Sequence, residues 1–405
     1  MKKRKLLSLA IASSFAAFGA GAQAQVSDGV IRIGVLNDMS GLYADLAGMG
    51  SVTAAKMAVE DYGAAAKGLK VEIVWADHQN KPDVGSNVAR QWFDNDKVDV
   101  IVDVPTSSVA LAVSEVAKQK NKLLIDSGAA SSDMTGKLCN ANTIHWTYDT
   151  WMLANGTGSA IVKTGGDSWF FLTADYAFGH ALERDTSAVV KAAGGKVVGS
   201  VKVPLNTQDF SSFLLQAQSS KAKIIGLANA GGDTINSIKQ AAEFGIVKGG
   251  QNLAGLLVFL SDVHALGLQT AQGLILTESF YWDLNDGTRA WSKRFAAANG
   301  NKYPTMVQAG VYSGVLHYLK AVEATKSDDP LTVAAKMKEL PTDDPLFGKG
   351  VVRADGRKTH PVYLFEVKKP SESKGPYDYY KIRATIPAEQ AFRPIEQGEC
   401  PLVKK

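Results

Sequence analysis

Two cysteines in 405 residues, Cys139 and Cys400, are too few to build a disulfide scaffold or a thiolate metal site. The six histidines are scattered, and no H-E-x-x-H spacing occurs. No G-x-S-x-G turn is present to raise a nucleophilic serine. Gly156-Thr157-Gly158-Ser159-Ala160-Ile161 begins like a dinucleotide loop, but it fails at its sixth position and follows no strand. Gly136-Lys137 lacks the earlier glycine and the following Ser or Thr of a phosphate loop. Past residue 24 no apolar run approaches the roughly 20 residues of a membrane span. Excess charge is missing too. The formal +4 is matched by Lys2, Lys3, Arg4 and Lys5, with no acid in the first 24 residues. The rest is formally neutral and offers no basic field for nucleic acid or an acidic membrane.

What is present begins with that basic start, an apolar run from Leu6 to Phe18 and small residues ending in Ala22-Gln23-Ala24. This is the order of a secretory signal peptide, with cleavage expected after Ala24 and a mature protein in the periplasm. No cysteine near that point offers a lipid attachment site, so a free protein is expected. In an oxidising compartment Cys139 and Cys400 suggest a disulfide between the tail and a mid-chain loop, with two separate thiols as the alternative.

The remaining chain, about 380 residues, exceeds one ordinary core and points to two domains. Short apolar runs alternate with amphipathic stretches. Strands are expected at 31–36, 71–75, 98–104 and 123–125, with helices over 44–62, 84–93 and 108–120. A second cycle places strands at 169–173, 196–203, 223–227, 256–260 and 274–276, with helices at 151–163, 179–193, 210–219 and 234–244. Two helices, 289–298 and 307–324, and two extended runs, 350–353 and 362–367, follow. Repeated βα units mean an α/β protein with doubly wound parallel sheets, and two such runs mean two lobes.

In open parallel sheets ligands bind beyond the carboxyl ends of the strands. There the sequence carries Pro105-Thr106-Ser107-Ser108 and Asp126-Ser127-Gly128-Ala129-Ala130. Hydroxyls and free N–H groups at a helix start attract carboxylates, and small residues let a ligand approach the backbone. The alternative role for Ser107 or Ser108 is a simple helix cap. The second half offers Asp175-Tyr176-Ala177-Phe178 and Asn229-Ala230-Gly231-Gly232 at matching positions. Tyr176, Phe178 and Trp151 are expected to pack the body of a ligand, with Asn229 and Asp283 adding polar contacts. Core packing is the competing role for each aromatic residue.

At these motifs the chain resembles the type I periplasmic solute-binding proteins of ABC transporters, in the branched-chain amino acid (Leu/Ile/Val-binding) group. The resemblance runs from about Val30 to about Ile386. It is carried by Ile33-Gly34-Val35 with Met39-Ser40-Gly41, Ala54 to Val59, Ser127 to Thr135, Asp175 to Gly179, and Asp209-Phe210-Ser211. The resemblance implies two lobes joined by three crossovers, the first about 26–147 plus 281–350 and the second about 148–280 plus 351–400. It implies no enzyme and no cofactor, but a monomer that closes on a solute and delivers it to the permease of an importer. Its ligand contacts fall on Thr106 with Ser107, on Gly128 and Ala130 flanking Ala129, and on Phe178 with Tyr176 close by. A further aromatic contact falls near Ala230, where this chain has Asn229 and glycines. Amino-acid binders of the group hold the ligand ammonium with an acid in the second lobe. The corresponding stretch, Ala254 to Phe259, has none, and Asp262 is the nearest. An aromatic or aliphatic carboxylate therefore fits alongside an apolar amino acid. An exported α/β enzyme and a ligand-sensing partner of a receptor are the competing functional readings.

Overall fold

The computed structural model describes residues 26–404, so the expected signal peptide and its cleavage point lie outside the described residues. The first lobe is built on a parallel sheet of β1 (Ile31–Asn37), β2 (Val71–Asp77), β3 (Val100–Asp103), β4 (Leu123–Asp126) and β5 (Thr143–His145), in the order β2-β1-β3-β4-β5. Its inner strands are apolar along their length because helices cover both faces, and β3 and β4 are buried at every residue. The second lobe repeats the plan with β6 (Ser168–Ala174), β7 (Lys196–Val203), β8 (Ile224–Ala228) and β9 (Asn252–Gly255), in the order β7-β6-β8-β9. Only the edge strand β7 alternates exposed and half-buried residues, as a strand with one solvated face does.

The later chain adds β10 (Ile275–Glu278), the small antiparallel group β11 (Thr342–Asp344), β12 (Gly348–Val352) and β13 (Lys358–Thr359), then β14 (Val362–Val367) and β15 (Tyr380–Ile386). Strands β10, β14 and β15 pair antiparallel in that order. The chain passes between lobes after β5, after β10 and after β13, which gives the expected three crossovers. They are stitched together at one carbonyl. The oxygen of Thr147 in the first crossover accepts from Ser279 Oγ of the second at 3.1 Å and from His360 Nε2 of the third at 2.7 Å.

Several boundaries differ from expectation, each for a local reason. The helix expected from Ala44 begins at Gly48. The carboxylate of Asp38 takes the N–H groups of Gly41 and Tyr43 at 2.7 and 2.9 Å, which holds the preceding residues in turns. The strand expected at 256–260 is instead β9, ending at Gly255, followed by a buried link and the helix Leu260–Leu266. An apolar run does not distinguish a buried strand from a buried connection. The helix Pro330–Glu339 was not expected, although Asp329 accepts from Thr332 N and Pro330 starts the first turn, a capping signal visible in the residues.

First-lobe pairing also continues past the boundary expected at 350. Strand β12 spans it, and Arg357 bridges to His145 at the edge of the first sheet. The tail beyond β15, expected in the second lobe, returns to the first: Arg393 Nη2 donates to Ser132 O at 3.1 Å, and Phe392 lies under the Arg357 guanidinium at 4.7 Å. It ends in the disulfide Cys139–Cys400, with Cα atoms 5.6 Å apart. Among the described residues no helix is long and apolar enough to cross a membrane, and no cluster of metal-ligating side chains occurs.

Candidate ligand-binding cleft

The carboxyl ends of the two parallel sheets face each other, and a tight cavity of about 10 Å³ lies between them. The first lobe and its crossover contribute Tyr43, Leu46, Pro105, Gly128, Ala130 and Tyr148; the second contributes Tyr176, Phe178, Ala230, Leu257 and Phe259. Five of these eleven are aromatic, so the walls are flat and apolar with hydroxyl groups at their margins. Tyr176 and Phe178 have ring centroids 5.9 Å apart, and Tyr148 meets Phe259 edge-on at 6.0 Å.

The lobes touch at the mouth. The hydroxyls of Tyr43 and Tyr176 share a hydrogen bond of 2.6 Å, and Gly232 N donates to Leu42 O at 3.2 Å. Gly231 sits at φ +54°, where a Cβ would come within 2.5 Å of the Leu42 carbonyl oxygen. The largest apolar cluster accordingly runs through both lobes. This is a closed arrangement.

The cavity's polarity comes from helix starts. Tyr176, Ala230 and Phe259 are the residues that precede the helices Ala177–Ala192, Gly231–Glu243 and Leu260–Leu266. Thr106, next to the lining residue Pro105, precedes the helix Ser107–Gln119. No side chain caps the helices that follow Thr106, Tyr176 and Ala230. Thr106 is a good capping residue by type, yet its hydroxyl donates to Asn80 Oδ1 instead. Two of these helix starts, at Tyr176 and Ala230, thus lie on the cavity wall and the third, at Thr106, lies beside it, which brings the partial positive charge of helix N-termini to one small space.

Among the described residues no carboxylate lines that space. Asp262, the nearest acid of the second lobe, is buried and accepts from Phe259 N at 2.9 Å, and burial pushes it up to about 7. Asp233 accepts from Asn206 N at 3.1 Å, and burial raises it to about 6.

A profile of the family described as periplasmic binding protein matches residues 30–375. The chain belongs to the periplasmic binding protein family. A periplasmic binding protein from Burkholderia mallei is 53% identical, with a TM-score of 0.91 over 93% of this chain and 100% of that one. A branched chain amino acid ABC transporter periplasmic ligand-binding protein from Burkholderia xenovorans is 43% identical, with a TM-score of 0.82 over 92% and 99%. Leu/Ile/Val-binding protein homolog 6 of Brucella melitensis is 26% identical over 91% of this chain and 94% of its own length.

Of the positions expected from sequence in this periplasmic binding protein, Gly128, Ala130, Tyr176 and Phe178 are brought together on the cavity wall. Ala129 is buried directly behind them, its N–H donating to Asp126 Oδ1 at 3.0 Å and its carbonyl accepting from His145 Nε2 at 2.8 Å. Ser107 is also one layer back. Its Oγ accepts from Ala130 N and Ser131 N at 3.3 and 3.2 Å, so it shapes the floor rather than facing the space. Asn229 is spent inside its own loop, accepting from Thr234 Oγ1 at 2.8 Å and donating to Ser237 Oγ at 3.3 Å. Trp151 and Asp283 are not among the lining residues; Asp283 is half-exposed and paired with Arg289 at 2.9 Å.

Sequence reasoning left Tyr43, Leu46, Tyr148, Leu257 and Phe259 out of the binding set. Tyr43 carried a signal, since it follows the strand-end turn Met39-Ser40-Gly41. Leu257 and Phe259 carried none, because their run read as a strand. The dinucleotide-like glycines are packing residues: a Cβ on Gly156 would lie 2.3 Å from Thr277 Oγ1.

Proposed function

We propose that the protein is the periplasmic substrate-binding component of an ABC importer and captures a small organic carboxylate with an apolar or aromatic body. Three uncapped helix starts, two on the wall of one aromatic-lined cavity and one beside it, carry this reading. Such termini bind anions through backbone N–H groups and the helix dipole, without a dedicated cation. The importer assignment draws on the names of relatives, above all the ligand-binding protein from Burkholderia xenovorans. Delivery would be to permease subunits in the inner membrane, by a monomer, with no chemical change to the solute.

The absence of a lining carboxylate selects within this class. A buried ammonium needs a charged partner, and Asp262 is already committed to the Phe259 N–H. An apolar or aromatic monocarboxylate without an ammonium therefore fits at least as well as a branched-chain amino acid. A thermal-shift screen of both classes tests this. A ligand at one hundred times its Kd should stabilise the protein by about 2.7 kcal/mol. Stabilisation by leucine, isoleucine and valine alone would overturn the preference, and no stabilisation by any carboxylate would overturn the reading. Turnover of any bound ligand would favour the exported-enzyme alternative. Capture of a receptor ectodomain rather than a permease would favour the sensory one.

The mouth contact gives a further expected result. Tyr176→Phe removes the hydroxyl that meets Tyr43 across the lobes. A neutral hydrogen bond contributes about 0.5–1.5 kcal/mol, so the variant should bind roughly 2–10-fold more weakly in isothermal titration. An unchanged Kd would show that this contact is not part of the ligand-bound state.

A further inference from the structure

Beneath the cavity floor lie two carboxyl groups that the binding reading does not use. Asp103 ends β3 and Asp126 ends β4, and they are register partners on adjacent parallel strands whose backbones run about 4.8 Å apart. Both are fully buried. Asp126 Oδ1 accepts from Gly128 N and Ala129 N at 3.3 and 3.0 Å, so it holds the floor loop in place. Asp103 Oδ2 accepts from Asn37 Nδ2 at 2.8 Å. Asp103 Oδ1 and Asp126 Oδ2 have no hydrogen-bond partner among the described residues.

The floor over this pair is one residue thick. A Cβ on Gly128, which lines the cavity, would lie 2.8 Å from Asp103 Oδ1. The backbone above is strained as well: Asp103 and Val104 have φ of +85° and +60°, a region that a β-branched residue seldom enters. The surrounding groups supply little compensating charge. Strand β1 brings neutral Asn37, and the helix Gly48–Tyr62 brings the Ser51 hydroxyl. Strand β5 brings His145, whose Nε2 is 3.4 Å from Asp126 Oδ2 but which burial holds well below its usual range and so uncharged. Tyr148 turns its hydroxyl to the Gly128 carbonyl. Among the described residues the cation that acts on Asp126 is Arg357, which donates to Tyr148 O at 3.0 Å and lies 3.5 Å from Asp149 Oδ2.

We propose that Asp103 and Asp126 are positioning residues that share a proton beneath the floor, and that capture of an anionic solute draws a further proton from solvent onto the pair. The coupling rests on the anion-binding reading above. Two adjacent carboxylates in a dry site do not both ionise, and a solute carboxylate on the other side of Gly128 adds a third negative charge. Protonation of the pair relieves that repulsion while leaving the floor hydrogen bonds in place. Burial pushes Asp103 up to about 7, and burial together with the Asp103 charge holds Asp126 well above its usual range.

The sign follows. The stability that Asp103 contributes is complete below its free value of 3.8 and is lost as pH rises to about 7. Anion affinity should follow the same direction, level below about pH 7 and falling by about tenfold per pH unit above it while one proton is taken up. Two measurements test this. Infrared spectra of the unliganded protein at pH 7 should show a protonated-carboxyl band that Asp103→Asn and Asp126→Asn each weaken. Absence of that band in the wild type would overturn the shared proton. Titration calorimetry with benzoate and with L-leucine, in two buffers of different ionisation enthalpy between pH 6 and 8.5, should show uptake approaching one proton, abolished in Asp103→Asn. Binding without proton uptake in the wild type would overturn the coupling. Failure of both probes to bind would count against the anion reading instead, and the infrared band would still decide the pair.

Discussion

Gly231→Ala should weaken solute binding by roughly 10–100-fold while moving the melting temperature of the unliganded protein by no more than about 4 °C. The two effects separate because they arise in different states. The residue sits at φ +54° at the start of a second-lobe helix, and a side chain there costs about 1–2 kcal/mol of backbone strain whether the lobes are open or closed. The clash exists only when the lobes meet. The new Cβ would lie 2.5 Å from the Leu42 carbonyl oxygen and 2.9 Å from the Tyr43 ring, and backbone cannot step aside as a flexible side chain does. Overpacking of this kind costs about 1–3 kcal/mol, charged against closure and therefore against ligand affinity. Gly232, next along, is the control. Its Cβ would approach no lobe-one atom closer than 3.2 Å, so Gly232→Ala should bind nearly as the wild type does. Equal loss in the two variants, or a large fall in unliganded stability without loss of affinity, would refute a closing contact at Gly231.

Reducing the Cys139–Cys400 disulfide, or replacing either cysteine with serine, should cost about 2–5 kcal/mol of stability. The bond joins positions 261 apart in sequence, so reduction frees a very long loop in the unfolded chain. It also pins a tail with modest anchoring of its own: buried Phe392 against the His360 ring at 5.3 Å, Arg393 on Ser132 O, and Arg353 Nη1 on Arg393 O at 2.8 Å. Denaturant unfolding with and without reductant measures the difference, and coincident curves would show that the covalent link adds nothing to the tail's packing. Mass mapping of the oxidised protein under non-reducing conditions should recover one peptide pair containing both cysteines.

The alternation of apolar strands with amphipathic helices was legible because sheets covered on both faces demand it. Strands such as β3, β4, β7 and β14 lie where the pattern placed them, give or take two residues at an end. The pattern misled where burial is complete but geometry is not regular. Leu256 to Phe259 is as apolar as any strand and is a buried connection, because it is packed between two lobes rather than within one sheet. Four of the eleven residues of the cavity wall were legible for a related reason. Gly128, Ala130, Tyr176 and Phe178 follow strand ends, and strand ends mark the cleft. Ser107 and Asn229 also follow strand ends, yet their polar atoms are consumed by local hydrogen bonds that only coordinates reveal.

Composition, periodicity and the residues at strand ends by themselves determined a two-lobed α/β protein, the cleft between its lobes and a pairing open to its two cysteines. Those properties depend on local backbone preference and on which faces are apolar, and both are written along the chain. The tertiary structure decided which strand-end residues face the cavity, that the tail returns to the first lobe, that Gly231 and Tyr176 meet the opposite lobe, and that Asp103 and Asp126 lie side by side under the floor. Each is a contact between segments distant in sequence. Its energy depends on distance, desolvation and the partners already taken, and no spacing along a chain encodes these.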